Sequence, residues 1–185
     1  MRAFISLNLS NETISILKDF QKSIKEDLGI AESGKVKWES PDKFHITMFF
    51  IGDISDDKID KLKDDLKTIH DDNIGTIILE LIKLNAFPDL LKPRVLFAEV
   101  MEREGKIYKL SGLINKIMKE YGYEQKGKFH PHITLGRVRR EYNLHELNFG
   151  DKTINSSFKI QEVHLMKSVL SREGSVHERV FLIEL

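Results

Sequence analysis

A chain of 185 residues with 41% hydrophobic and 31% charged side chains can bury a sizeable core, which excludes intrinsic disorder as its default state. Lysine plus arginine equals aspartate plus glutamate at 29 each, so no overall field gathers nucleic acid and any polyanion must be held by a local patch. The absence of cysteine removes disulfides, thiolate metal sites and cysteine nucleophiles and suits a reducing compartment.

Residues 2–9 read as a first strand, and the apolar stretch there is too short for a signal peptide. No apolar run reaches the roughly 18 residues of a membrane span, so the chain is expected to work in the cytoplasm, away from membranes. Ser10-Asn11 opens a helix whose apolar positions Ile14, Leu17, Ile24 and Leu28 recur at helical spacing and stop near Gly29. Val36–Trp38 and Phe44–Ile51 follow as strands around Pro41-Asp42, closed by Gly52-Asp53. Ser55 marks the cap of a second helix with Ile59, Leu62, Leu66 and Ile69 on one face. Strands at 76–84 and 94–101 flank a loop at Phe87-Pro88-Asp89. A third helix carries Ile107, Leu110, Ile114, Ile117 and Tyr121 in one stripe and stops at Gly122.

A strand over 129–138 comes next, then a loop-rich stretch at 140–156, and strands at 158–170 and 177–185 joined by a turn at Arg172-Glu173-Gly174. Uneven alternation of strands and helices, with hairpin-length connections, predicts an α+β fold with antiparallel sheet. We expect residues 1–185 to form one bilobal domain: two pseudo-symmetric lobes, helices on the outer faces, a central cleft between them.

The chemistry sits in a repeated pattern. His45-Ile46-Thr47-Met48 and His132-Ile133-Thr134-Leu135 lie 87 positions apart, each inside a predicted strand. Side chains alternate between strand faces, so each His and its Thr share a face roughly 6.6 Å apart. Chance gives two His-x-Thr triplets in such a composition roughly 2% of the time, before the apolar positions are required. Two imidazoles provide an acid and a base near neutral pH, and two hydroxyls can donate to a phosphate oxyanion. From Lys126 to Arg140 there are five cations, Lys126, Lys128, Arg137, Arg139 and Arg140, and no acid. Lys128 and its neighbours in this run are candidates to steer a polyanion, against the alternative of a charge-protected strand edge. Trp38, Phe49 and Phe87 are candidate stacking surfaces for a base.

Paired motifs of this kind in so short a chain resemble the two-histidine (2H) phosphoesterases. Within that superfamily the chain is similar to the RNA 2′,3′-cyclic phosphodiesterases, the LigT-like or 2′-5′ RNA ligase proteins. Trp38, Phe44-His45-Ile46-Thr47-Met48-Phe49-Phe50-Ile51-Gly52, Phe87-Pro88, Pro131-His132-Ile133-Thr134-Leu135-Gly136-Arg137, and Ser168-Val169-Leu170 with Gly174 carry the likeness. The resemblance implies a metal-independent, cofactor-free hydrolysis of RNA 2′,3′-cyclic phosphate ends to 2′-phosphomonoesters. It implies His45 as proton donor, His132 as proton acceptor and Arg137 as a phosphate contact, in a protein expected to act as a monomer. Strict alternation puts Arg137 on the face opposite His132 and Thr134, and a bulge at Gly136 is what would turn it inward. The chain departs from relatives at Ser175-Val176-His177, where they carry a tyrosine at or near the last position, and at Met48, where leucine is commoner.

Other readings compete. His130, His132 and His45 are the residue types of a three-histidine zinc site, although the paired threonines would then have no role. The same cleft would also serve a noncatalytic RNA-end binder, or the joining of RNA ends through a 2′-5′ bond. His70, His164 and His177 read as structural or surface residues, and His145 falls in a loop.

Overall fold

The computed structural model describes residues 1–27, 34–125, 127–139, 152–171 and 174–185. Within them the strands are β1 (Arg2–Asn8), β2 (Val36–Trp38), β3 (His45–Asp53), β4 (Ile77–Phe87), β5 (Val95–Met101), β6 (His132–Val138), β7 (Thr153–Ile160), β8 (Glu162–Ser171) and β9 (Gly174–Glu184). The helices are α1 (Asn11–Asp27), α2 (Ile59–Lys67) and α3 (Lys106–Glu120), with short 3-10 turns before α2 and after it. None of the described helices is long and apolar enough to cross a membrane.

All nine strands belong to one antiparallel sheet in the order β7-β4-β5-β6-β3-β1-β8-β9, with β2 added on β6. The two motif strands, β6 and β3, are the central pair, and four strands lie in each half. One residue, Gln161, separates β7 at one edge from β8 in the other half. Residues 160 and 162 are at most about 7 Å apart, so the sheet must curl until its two ends nearly meet. That curl makes one face concave.

The helices close the opposite face. Leu17, Phe20 and Ile24 of α1, Ile59, Leu62 and Leu66 of α2, and Ile107, Leu110, Ile114 and Met118 of α3 share one apolar cluster with Ile5, Leu7, Ile46, Met48, Leu96, Ala98, Ile133 and Leu135 from the strands. Each buried side chain of this size contributes roughly 1.5–3 kcal/mol relative to exposure. In the motif strands the residues between His and Thr thus belong to the core, which commits His and Thr to the concave face. The helix entry forms as the sequence implies: the Thr13 amide donates to Ser10 Oγ at 3.2 Å.

Both motif strands break alternation at the same place. Against β1, Ile5 pairs with Phe49 and Ser6 with Thr47, so Met48 is an extra residue; against β5, Leu96 pairs with Gly136 and Phe97 with Thr134, so Leu135 is extra. These are β-bulges, and each one turns the residues beyond it over. Phe49 therefore faces the core at 1% exposure while Phe50 stands in the open at 72%. In β6 the bulged Leu135 carbonyl accepts from the Glu39 amide and from Gln21 Nε2 of α1, both at 2.9 Å. Gly136 is required there, because a Cβ would lie 2.8 Å from Val36 Cγ1 and 3.0 Å from Trp38 Cε3.

Several expectations are corrected. The strand expected over 158–170 is two strands split at Gln161, which no glycine or proline announces, and β7 begins inside the stretch read as loop. Ser55 makes no side-chain capping bond. The buried stripe of α3 turns through Met118, with Ile117 and Tyr121 only partly buried. Leu28, Gly29, Lys126, Arg140, His145 and the Arg172-Glu173 turn lie outside the described residues.

The bulge in β3 assigns opposite roles to adjacent phenylalanines. Phe49→Ala should cost about 3–5 kcal/mol in urea unfolding, while Phe50→Ala should stay within about 0.5 kcal/mol of the parent chain. Equal losses from both would mean that β3 keeps strict alternation.

Candidate active site

β3 and β6 meet through one register pair, Ile46 opposite Ile133. In an antiparallel pair the flanking residues then interleave, His45 towards Thr134 and Thr47 towards His132, on the concave face. The two His/Thr pairs therefore stand side by side at the centre of the sheet, related by a local two-fold.

The imidazoles are held alike. His45 Nδ1 bonds the Lys43 carbonyl at 2.6 Å, and His132 Nδ1 bonds the His130 carbonyl at 2.7 Å, each reaching back two residues. A carbonyl can only accept, so Nδ1 carries the hydrogen and Nε2 is left to take or give a proton. His45 Nε2 accepts from Thr47 Oγ1 at 3.0 Å. His132 Nε2 has no partner among the described residues.

Aromatic rings wall each histidine. Phe4 lies 5.1 Å from the His45 ring, and the His177 ring meets it edge-on at 5.5 Å. Phe87 and Phe97 stand edge-on to His132 at 5.0 and 5.3 Å and stack on each other at 4.2 Å. Burial is the main reason that His45 falls to about 4, against the Lys43 carbonyl, which favours the cation; charge on His177 and His132 lowers it further. His132 is lowered too, by burial first and then by the charges of His130 and Arg137. Without a ligand both rings are thus neutral at pH 7, and the charge of an anion between them would oppose these shifts for whichever ring takes the proton.

Arg137 pairs across with Val95 of β5 and Lys37 of β2, beyond the bulge, and its charge reaches His132. It stands on the concave face, where strict alternation would not have put it. Other expected contacts do not gather there. Phe49 is in the core, and the concave-face phenylalanine is Phe50. Trp38 shares a face with Gly136 and Val36, and the Lys25 ammonium of α1 covers its ring at 5.1 Å, so it packs on the helix side of the sheet. Lys128 is exposed in the loop before β6, and no bond joins it to either motif among the described residues. Phe87 lies in the site as a wall of His132.

The zinc reading lacks its ligand set: among the described residues no group of three or more His, Asp or Glu is placed to hold a metal ion. His130 turns edge-on to Phe87 and Phe97 instead.

His177, read as structural or surface, packs against His45 in the candidate site. It joins Phe4, Ser6, Asn8, His45 and Met166 around a cavity of about 390 Å3 beside the first motif. Its only sequence signal was the departure from tyrosine after Gly174. His164 is a core residue, 4% exposed, bonded through Nε2 to Glu162 at 3.2 Å. His70 is exposed and bonds the Glu184 carbonyl.

Residues 3–173 match the model of the AKAP7 2′5′ RNA ligase-like domain. The chain is 28% identical over 162 residues to an RNA 2′,3′-cyclic phosphodiesterase of Aeropyrum pernix, covering 84% of this chain and 90% of the relative. It is 27% identical over 186 residues to one of Archaeoglobus fulgidus, covering 98% and 99%. The crystal structure of E. coli LigT complexed with 3′-AMP superposes with a TM-score of 0.81 at 19% identity, covering 100% of this chain and 97% of that one, and so shares its fold.

The lowered His45 value has a consequence for stability. The folded chain keeps this ring neutral down to about pH 4 whereas the unfolded chain protonates it near 6.5, so between these values the unfolded state binds the extra proton. Stability should fall as the pH drops through that window, and His45→Gln should remove this part of the loss in unfolding curves measured along a pH series. In NMR titrations His177→Gln should raise the His45 value; an unchanged value would remove His177 from its surroundings.

Proposed function

The chain belongs to the AKAP7 2′5′ RNA ligase-like family, within the 2H phosphoesterases, and from that premise we propose that it hydrolyses RNA 2′,3′-cyclic phosphate ends to 2′-phosphomonoesters without a metal ion. The observation that carries this reading is the matched pair of Nδ1–carbonyl bonds, which leaves two Nε2 atoms available for proton transfer on one concave face. The relatives named above as RNA 2′,3′-cyclic phosphodiesterases, and the binding of 3′-AMP by LigT, support the same substrate class.

In this mechanism the cyclic phosphate binds between the two histidines. Its negative charge favours one imidazolium and so loads His45 with a proton. His45 Nε2 then no longer accepts from Thr47, whose hydroxyl is free to donate to a nonbridging phosphate oxygen, as Thr134 does from the other side. Water attacks phosphorus, its oxygen forming the new P–O bond while His132 Nε2 takes its proton. The bond from phosphorus to the ribose 3′ oxygen breaks, and His45 delivers its proton to that oxygen. The resting state returns when the product leaves and His132 gives its proton to solvent, and the next substrate loads His45 again. The exposed face of Phe50 offers a surface for the terminal base.

A short RNA ending in a 2′,3′-cyclic phosphate tests this directly. With a strong chelator present the product should be the 2′-phosphomonoester. His45→Ala or His132→Ala should cut the rate by about 10² to 10⁴, and Thr47→Ala or Thr134→Ala by about 10 to 10³. The kcat/KM profile should be bell-shaped with its maximum below pH 6.5, since both free imidazoles are lowered, and the kcat profile should sit at higher pH. Full activity of His132→Ala, loss of activity with chelator, or a flat pH profile would each break the mechanism. Tight binding without turnover would favour the end-binding alternative.

A further inference from the structure

We propose that Lys37, Arg137 and Arg139 form a subsite for the backbone phosphates on the 5′ side of the cyclic end, so that the preferred substrate is a polynucleotide and not a mononucleotide. The inference rests on the hydrolytic reading above and extends the same cleft.

The bulge at Leu135 turns over the rest of β6. Beyond it the concave face of β6 carries Arg137 and then, two residues on and about 6.8 Å further along the strand, Arg139. Because β2 pairs with β6, Lys37 lies directly across from Arg137, while its neighbours Val36 and Trp38 point to the core side. All three cations are exposed. Like charges placed directly opposite one another weaken an antiparallel pair. Here nothing offsets them: among the described residues none of the three forms an ion pair, and Glu39, two residues past Lys37, does not bridge to any of them. A row of unneutralised cations at this spacing suits a ligand that brings one negative charge per repeat.

Position gives the row its role. Arg137 is three residues, about 10 Å of strand, from Thr134. A terminal phosphate held by the two motifs leaves the next phosphate, one nucleotide away, to the long Arg137 side chain, and the one after to Lys37 and Arg139. The two-fold counterpart of Arg137 is Phe50, which is uncharged. At this end of the cleft three cations stand together, and they direct the chain along β2 and β6.

The test compares the parent protein with Lys37→Gln/Arg139→Gln, two exposed changes that spare the motifs. The first readout is the ratio of kcat/KM for a short single-stranded RNA with a 2′,3′-cyclic end to that for a nucleoside 2′,3′-cyclic phosphate. The second is the affinity for the same RNA, followed by fluorescence anisotropy between about 50 and 200 mM salt. The ratio should fall on the order of tenfold, and the slope of log affinity against log salt should flatten by about 1.4, or about 0.7 for each cation removed. An unchanged ratio with an unchanged slope overturns the subsite, as does an equal loss on both substrates. A parent protein that turns over neither substrate refutes the hydrolytic reading instead, and the salt slope then decides the subsite alone.

Discussion

The antiparallel contact between Ile46 and Ile133 makes one site out of two motifs. Each isoleucine is fully buried against the helices, so its register is enforced by the core, and a slip of one residue would turn both His/Thr pairs into apolar packing. Placing this contact at the middle of the strand order brings the motifs together from positions 87 apart in sequence. The rest of the molecule supports that contact: three strands of the sheet order lie beyond the pair on either side, the helices cover its back, and the single-residue Gln161 link curls its front.

Proton chemistry follows from the same backbone. Each imidazole is tied through Nδ1 to a carbonyl two residues earlier in its own chain, so the bond that orients the ring also selects its tautomer. The aromatic walls then raise the cost of charging either ring. Such a site is neutral at rest and is charged by what it binds, which ties protonation to the presence of an anionic ligand.

The alternation of His-x-Thr made both functional pairs and their concave face legible in the sequence, since the apolar residue between them can only point to a core. The helices and most strands were equally plain from spacing. What local pattern does not carry is a bulge, because it is defined by the partner strand. Gly136 hints at the second one, whereas Met48-Phe49 has no glycine, and so alternation alone puts Phe49 on the concave face that Phe50 occupies. Trp38 failed for a related reason: its face is set by pairing with Gly136, which strand β2 alone does not reveal. His177 reaches the site only through the pairing of β9 with β8 and the curl that brings both over Phe4.

The two motifs are chemically identical, so the direction of proton flow must come from what surrounds them. Arg137 is cationic at every working pH and adds to the burial that keeps His132 neutral. The charge that acts on His45 from its own half is His177, a group that is itself lowered by burial and loses its charge as the pH rises. Near neutral pH that repulsion is gone, and what still opposes protonation of His45 is burial, the term that a bound phosphate offsets by direct contact. A permanent charge on one side and a titratable one on the other thus distinguish two motifs that the fold otherwise treats alike.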